Sequence, residues 1–290
     1  MPGPEKGAVP LFRMTHQKTG CGSFSMAPLI LLALAATGCD LSVGSFGHMA
    51  GRAADGWTHT YPLVSGGTVR IGNTNGKIEI EGVDGSTVEV RAERIAHAAT
   101  DTGAREMLPR IAIKEASKPD LVSVETERMS GIMMGVSTEV RYHVRAPKNA
   151  TIEVSNTNGL ITLTALGGTI VARTTNGGVS GKDLSGGVDA RATNGGVNID
   201  LASLGRDKVV LRTTNGGVTL TLPETSKADI TASCTNGGIS VTGGNIEVSE
   251  QSRRRFEGRL NGGGASVELQ TTNGGVRVRT ANAAAAEPKI

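Results

Sequence analysis

Apolar and polar residues alternate along most of this chain, and the alternation is hung on a recurring Thr-Asn-Gly. The Asn-Gly pairs stand at Asn75, Asn158, Asn176, Asn194, Asn215, Asn236 and Asn273, with a copy lacking the Thr at Asn261. From Asn158 to Asn236 they step by 18, 18, 21 and 21 residues. Six positions before the Asn sit Val69, Ile152, Ile170, Val188, Val209, Ile230 and Val267. Four before it sit Ile71, Val154, Ala172, Ala190, Leu211, Ala232 and Leu269; three after it, Ile78, Ile161, Val179, Val197, Val218, Ile239 and Val276. The residues between are mostly polar, so each copy reads as strand, turn, strand with one face buried.

A fixed period near 20 residues signals a repeat architecture in which one unit cannot enclose its apolar face but stacked units can. The pattern predicts an all-β, single-chain β-solenoid (β-helix or β-roll), with two short strands per coil of about 18–21 residues. Asn tolerates positive φ and Gly takes it freely, so both residues are expected to serve the reversal. A second reversal falls at Gly167-Gly168 and Gly186-Gly187. Small apolar residues such as Ala172, Ala190 and Ala232 suit a thin core; a long antiparallel meander is the competing arrangement. In a solenoid the side chains of Asn158, Asn176, Asn194, Asn215, Asn236 and Asn273 form a structural ladder along the axis.

The repeat pauses between Asn75 and Asn158. Residues 57–150 are expected to form an N-terminal β block capping the stack, because a bare solenoid end templates aggregation. Its one short helix is expected at 101–108, capped by Asp101 or Thr102 and ended by Pro109. Residues 151–280 form the solenoid proper, and 281–290 are expected to be a disordered tail. Two stretches depart from the alternation. Met129–Val136 is an apolar loop, and Arg253–Arg259 reads as a charged, solvated loop.

The first 38 residues read as a leader. Arg13, His16 and Lys18 precede an apolar run that ends in Ala36-Thr37-Gly38-Cys39, with Met14 an alternative start. That ending resembles the bacterial lipobox, which implies cleavage before Cys39 and a diacylglycerol thioether on its sulfur. Two or more acyl chains anchor a protein stably. The partner is then membrane lipid, the location extracytoplasmic, and 39–56, rich in Gly, Ser and Ala, a flexible tether. Cys21 leaves with the leader, so Cys234 remains as a small core filler without a disulfide partner.

Composition narrows the chemistry. With 41 Gly among 290 residues and only 2% aromatic side chains, the core is thin. A formal net charge of +3 does not suggest nucleic acid as the partner. No metal site is expected, since calcium β-rolls need a recurring Asp. No cofactor motif occurs. Asp and Glu (Glu153, Asp189, Asp200, Glu268) look scattered rather than paired for polysaccharide cleavage. One column stands out. Arg173, Arg191 and Arg212, three before the Asn in successive copies, are a candidate anion-binding array.

The stretches Tyr61-Pro62-Leu63, Gly67 to Ile78, the Thr-Asn-Gly copies, and Asn261 to Val276 occur in an order that resembles the β-strand-repeat putative adhesins of bacteria. That resemblance spans about 57–280 and implies a β-solenoid on exported or membrane-tethered proteins, with no catalytic residues to carry over. The expectation is a lipid-anchored, non-catalytic interaction or structural module of the cell envelope, meeting an anionic polymer or another envelope protein. The alternatives are a β-helix enzyme acting on polysaccharide and a scaffold or sensor for a membrane signalling complex.

Overall fold

The computed structural model describes residues 50–127 and 135–281. The leader, Cys39, most of the Met129–Val136 loop and the tail after Ala281 lie outside the described residues. In chain order the strands begin with β1 (Gly51–Pro62), β2 (Thr68–Asn75), β3 (Ile78–Val83) and β4 (Thr87–Ala98). Helix α1 (Asp101–Met107) follows, then β5 (Ile113–Lys118), β6 (Leu121–Thr126) and β7 (Ser137–Pro147). The coils continue as β8 (Thr151–Asn158), β9 (Ile161–Thr164), β10 (Ile170–Asn176), β11 (Val179–Leu184), β12 (Val188–Asn194) and β13 (Val197–Leu201). Then come β14 (Val209–Asn215), β15 (Val218–Pro223), β16 (Ala228–Asn236) and β17 (Ile239–Thr242). The last are β18 (Ile246–Gln251), β19 (Arg255–Leu260), β20 (Ala265–Asn273) and β21 (Val276–Ala281).

Each Thr-Asn-Gly is a corner between two sheets, and the copies stack parallel and in register. Ile152, Ile170, Val188 and Val209 align down one column, as do Asn158, Asn176, Asn194 and Asn215. The strands before the corner form one sheet, β18-β19-β16-β20-β14-β12-β10-β8-β2-β6-β5. Those after it form the other, β1-β4-β7-β3-β9-β11-β13-β15-β21-β17. The fold is a β-solenoid. Its core is the strip of alternate apolar residues between the sheets, and Ile170, Ala172, Val179, Val188, Val197 and Val218 are all buried. Burying one Val or Ile contributes about 1.5–3 kcal/mol, so each coil adds several such increments.

Among the Thr-Asn-Gly coils, order along the stack departs from chain order in one place. The copy made by β20 and β21 lies between β14/β15 and β16/β17. The chain skips a slot after β15, lays down β16 and β17, turns through the β18–β19 hairpin, and comes back to fill the gap. The exposure pattern fits this order. Val276 and Val278 of β21 are buried, whereas Ile239 and Val241 of β17, the last strand of its sheet, are only half-buried. The Arg253–Arg259 segment is therefore not a solvated loop. Its second half is β19, antiparallel to β16, and it drives Phe256 and Leu260 into the end of the core.

At the other end β7 continues from β3, with β4 and β1 antiparallel beyond it. Tyr142 of β7 is buried and pairs its hydroxyl with Thr126 Oγ1 at 2.8 Å. Burial pushes its pKa up to about 12. Residues 51–56, expected in the tether, belong to β1. Gly51 and Ala53 turn inward, and a Cβ on Gly51 would lie 2.0 Å from the carbonyl carbon of Thr100. Strand residues this small leave no hydrophobic signal. Helix α1 is capped by Thr100, whose Oγ1 accepts from Gly103 N at 3.1 Å, rather than by Asp101 or Thr102. Asp101 instead accepts from the backbone of Arg52 at 3.0 Å.

The corner corrects the expected role of Asn. None of the Thr-Asn-Gly asparagines has positive φ; that conformation falls to the glycine at six of the seven corners, from +115° at Gly76 to +157° at Gly216, while Asn261, in the copy without the Thr, does adopt it (+50°). Stacking makes a second demand. A Cβ on Gly177 would sit 2.1 Å from the carbonyl oxygen of Gly159, and one on Gly195 would sit 2.0 Å from that of Gly177. Gly177→Ala should therefore destabilise the fold by about 3 kcal/mol or more, from backbone strain and a clash with rigid backbone. Gly85→Ala has a similar φ (+141°) but open space around the new methyl, and should cost only about 1 kcal/mol. Thermal melts of the two variants should separate clearly; equal midpoints would contradict the stacking.

Candidate binding face

The corner asparagines carry a continuous chain of side-chain hydrogen bonds. Asn158 Nδ2 donates to Asn75 Oδ1 at 2.6 Å. Asn176 donates to Asn158, Asn194 to Asn176, Asn215 to Asn194, Asn273 to Asn215 and Asn236 to Asn273, each at 2.8 Å. Two positions before each Asn, a buried side chain points inward. There Asn156 Nδ2, Thr213 Oγ1 and Thr271 Oγ1 donate to the corner carbonyls of Gly76, Gly195 and Gly216 at 2.7, 2.7 and 2.8 Å. Cys234 occupies this column, buried, with its Sγ 3.8 Å from the carbonyl of Arg253.

Three positions before the Asn the side chains face out. Arg173 aligns with Arg191 and Arg191 with Arg212, on adjacent strands β10, β12 and β14. Adjacent strands lie about 4.8 Å apart, so these like charges need compensation. It comes from the column two residues earlier, where the register lines up Arg70, Glu153, Val171, Asp189, Val210 and Glu268. Three of the carboxylates that look scattered in sequence thus share one column. Arg191 grips Asp189 with both ends of its guanidinium, at 2.8 and 2.9 Å. Glu268 takes Lys208 at 2.6 Å and Arg212 at 3.3 Å, and the Lys208 hydrogen bond leads in holding its carboxyl below the ordinary range.

Arg173 is left with the weakest share. Its contact to Asp189 is 3.9 Å, and its side chain is 56% exposed. Shallow grooves of about 390 and 380 Å³ open on either side of it. Ser155, Thr157, Thr175 and Thr193 line the first, and Asn156 is part of the same lining. Asn156 is buried, and its Oδ1 has no partner among the described residues. A buried acceptor without a donor invites a hydroxyl or a water.

Two other clusters were missed in sequence. Asp200 on β13 has its carboxyl pushed above the usual range, first by burial and then by the charge of Asp183. Asp183 has φ +56° and sits where the β11–β13 register shifts. The shift is what brings the two together, and no periodic rule predicts it. At the N-terminal end, Trp57, His59 and Tyr61 share one face of β1, with Trp57 and His59 rings 4.4 Å apart. Glu115 on β5 accepts from the Tyr61 hydroxyl and meets His59 Nδ1 at 2.8 Å. This group ties the terminal strands of the two sheets to each other. Among the described residues no group of three or more His, Cys, Asp or Glu could hold a metal, and no helix is long and apolar enough to cross a membrane.

Residues 169–279 match the family model described as Toastrack DUF4097. This segment resembles a Toastrack module. It runs from β10 to β21 and so takes in Arg173, Arg191 and Arg212, while β2/β3 and β8/β9 continue the same coil geometry before it. The chain is also similar to a putative cell adhesion protein from Clostridium sporogenes ATCC 15579, at 12% identity over 79% of this chain and 100% of that one, with a TM-score of 0.37. A putative adhesin from Bacteroides fragilis NCTC 9343 is similar at 9% identity over 78% and 97%, with a TM-score of 0.31. A comparison with curated proteins finds no match.

The Tyr61–Glu115–His59 tie gives a pH signature. Hydrogen bonds from Tyr61, then His59, hold the Glu115 carboxyl below its ordinary pKa. A carboxyl lowered by folding stabilises the fold above its unfolded pKa of about 4.3, and that contribution is lost as pH falls through the folded value. Glu115→Gln should lower the melting midpoint slightly near neutrality, with the deficit vanishing in acid. A deficit that stays constant across pH would show that the carboxylate is not what ties the strands.

Proposed function

We propose that the protein is a lipid-anchored, extracytoplasmic interaction module that holds an anionic, hydroxyl-bearing polymer of the cell envelope along the Arg173 face. The observation that carries this reading is the incomplete pairing of Arg173 between two grooves, one of them lined with hydroxyls. A guanidinium with spare donors suits a carboxylate, sulfate or phosphate, and the hydroxyls of Ser155, Thr157, Thr175 and Thr193 suit those of the polymer. Strand spacing repeats the polar columns about every 4.8 Å, so a chain lying across the coils meets similar chemistry at each step. Cys39 supplies the anchor in this reading, and 39–50 the spacer above the membrane.

Two substitutions test it with opposite signs. Arg173→Ala should weaken retention on an anionic polysaccharide such as polygalacturonate by roughly five- to tenfold, since charged hydrogen bonds contribute about 1.5–3 kcal/mol before screening. Asp189→Asn, which frees Arg173 and Arg191 from their shared carboxylate, should strengthen it. Unchanged retention in both would dismiss the site. For the anchor, Cys39→Ser should move the protein from the membrane to the soluble fraction, and continued membrane association would reject lipidation.

Asp200, with its raised carboxyl beside Asp183, is the observation that favours an enzyme acting on polysaccharide. A general acid there would need a second group placed across the substrate. New reducing ends on incubation with polysaccharide, abolished by Asp200→Asn, would establish that reading; the binding module predicts none.

A further inference from the structure

Asn-Gly is the dipeptide in which a backbone nitrogen most easily reaches the asparagine side-chain carbonyl, because Gly presents no Cβ to hinder the approach. This chain carries eight such pairs, seven of them at the stacked corners, and the fold treats one of those seven differently. At Asn158, Asn176, Asn194, Asn215 and Asn273 the amide donates to one coil and accepts from the next. Asn75 accepts from Asn158 and donates to the carbonyl of Thr138 at 3.3 Å. Asn261 donates to the carbonyls of Glu224 and Ser226 at 2.9 and 2.8 Å. At the six interior corners the following glycine N–H is also engaged, from Gly76 to Asn158 O at 2.9 Å through to Gly274 to Asn236 O at 2.9 Å.

Asn236 ends the ladder. It is exposed, and its amide makes a single bond, Nδ2 to Asn273 Oδ1. Among the described residues its Oδ1 has no donor and the Gly237 N–H has no acceptor, because no coil lies beyond β16/β17 at that corner. We propose that Asn236 is the ladder corner that deamidates spontaneously, and that the ladder shields the other six corner Asn-Gly pairs.

The step balances without an oxidant or reductant. The Gly237 nitrogen loses its proton to base and forms a bond to Asn236 Cγ; the Cγ–Nδ2 bond breaks, and ammonia leaves with a proton returned from solvent. The five-membered succinimide is then opened by water at either carbonyl, giving aspartate or isoaspartate. At an interior corner the same attack requires the amide and the glycine N–H to be released first, so the free energy of that opening adds to the barrier. The product also has a structural consequence. A carboxylate cannot donate to Asn273 Oδ1, so the last link is lost and Asn273 becomes the new end.

The test is peptide mapping by mass spectrometry of the purified full chain held in mildly alkaline buffer. Folded, Asn236 should convert at least about tenfold faster than Asn176 or Asn194. In denaturant the sites should converge. An interior asparagine converting as fast as Asn236 in the folded protein would overturn the proposal. So would an Asn236 lead that persists in denaturant, since the fold would then not be its cause.

Discussion

Close approach of backbone to backbone at the Thr-Asn-Gly corner is the constraint on which the rest of this structure depends. The carbonyl of each corner glycine occupies the space a Cβ would take on the glycine of the neighbouring coil, about 2 Å from where that atom would be. Only glycine lets the coils close to strand spacing there. Once they do, each interior corner glycine N–H meets the asparagine carbonyl of the next coil, and the asparagine amides fall into line. The corner thus keeps its polar groups satisfied where the two sheets part, as buried backbone groups must be. A thin core suffices because every coil contributes the same few apolar residues at the same positions.

The proposed binding face is a consequence of the same register. Outward residues form columns, so a charge that recurs at one position in the repeat becomes a row of neighbouring charges. Arg173, Arg191 and Arg212 would repel one another without the carboxylates of Asp189 and Glu268 in the flanking column. Compensation is uneven, since Asp189 is committed to Arg191 at 2.8 Å and reaches Arg173 only at 3.9 Å. That unevenness marks one arginine as available. The grooves beside it are shallow, which suits a chain lying along the surface better than a small molecule needing enclosure.

Much of this was legible in the sequence, because period and alternation report directly on coils and buried faces. The arginine column followed from counting back from each Asn. What the sequence withheld has identifiable reasons. Every copy offers the same columns, so periodicity cannot say that the 265–281 copy lies inside the 228–242 copy; only the poorer burial of Ile239 and Val241 marks the latter as terminal. Gly51 and Ala53 pack through smallness, which a hydrophobic pattern does not register. Phe256 was hidden by the arginines around it. The Thr-Asn-Gly asparagines were read both as turn formers and as a ladder; the ladder is there, but positive φ falls to the following glycine at six of the seven corners. The columns of Glu153, Asp189 and Glu268 became visible only with the register, and the pairing of Asp183 with Asp200 only with the irregularity in β11.

The central claim, in-register stacking with the final copy slotted into the gap, is tested most directly by paired cysteines in a chain whose native cysteines are replaced by serine. Arg212 and Gln270 are direct register partners, as are Gln270 and Ser233, whereas Arg212 and Ser233 are separated by an intervening strand. A disulfide needs Cα atoms about 4.4–6.8 Å apart, which neighbouring strands provide and next-but-one strands do not. Arg212→Cys with Gln270→Cys should oxidise readily, and Arg212→Cys with Ser233→Cys should stay reduced. The opposite outcome, with positions 212 and 233 bridging, would mean that the coils stack in chain order and that the account of this solenoid is wrong.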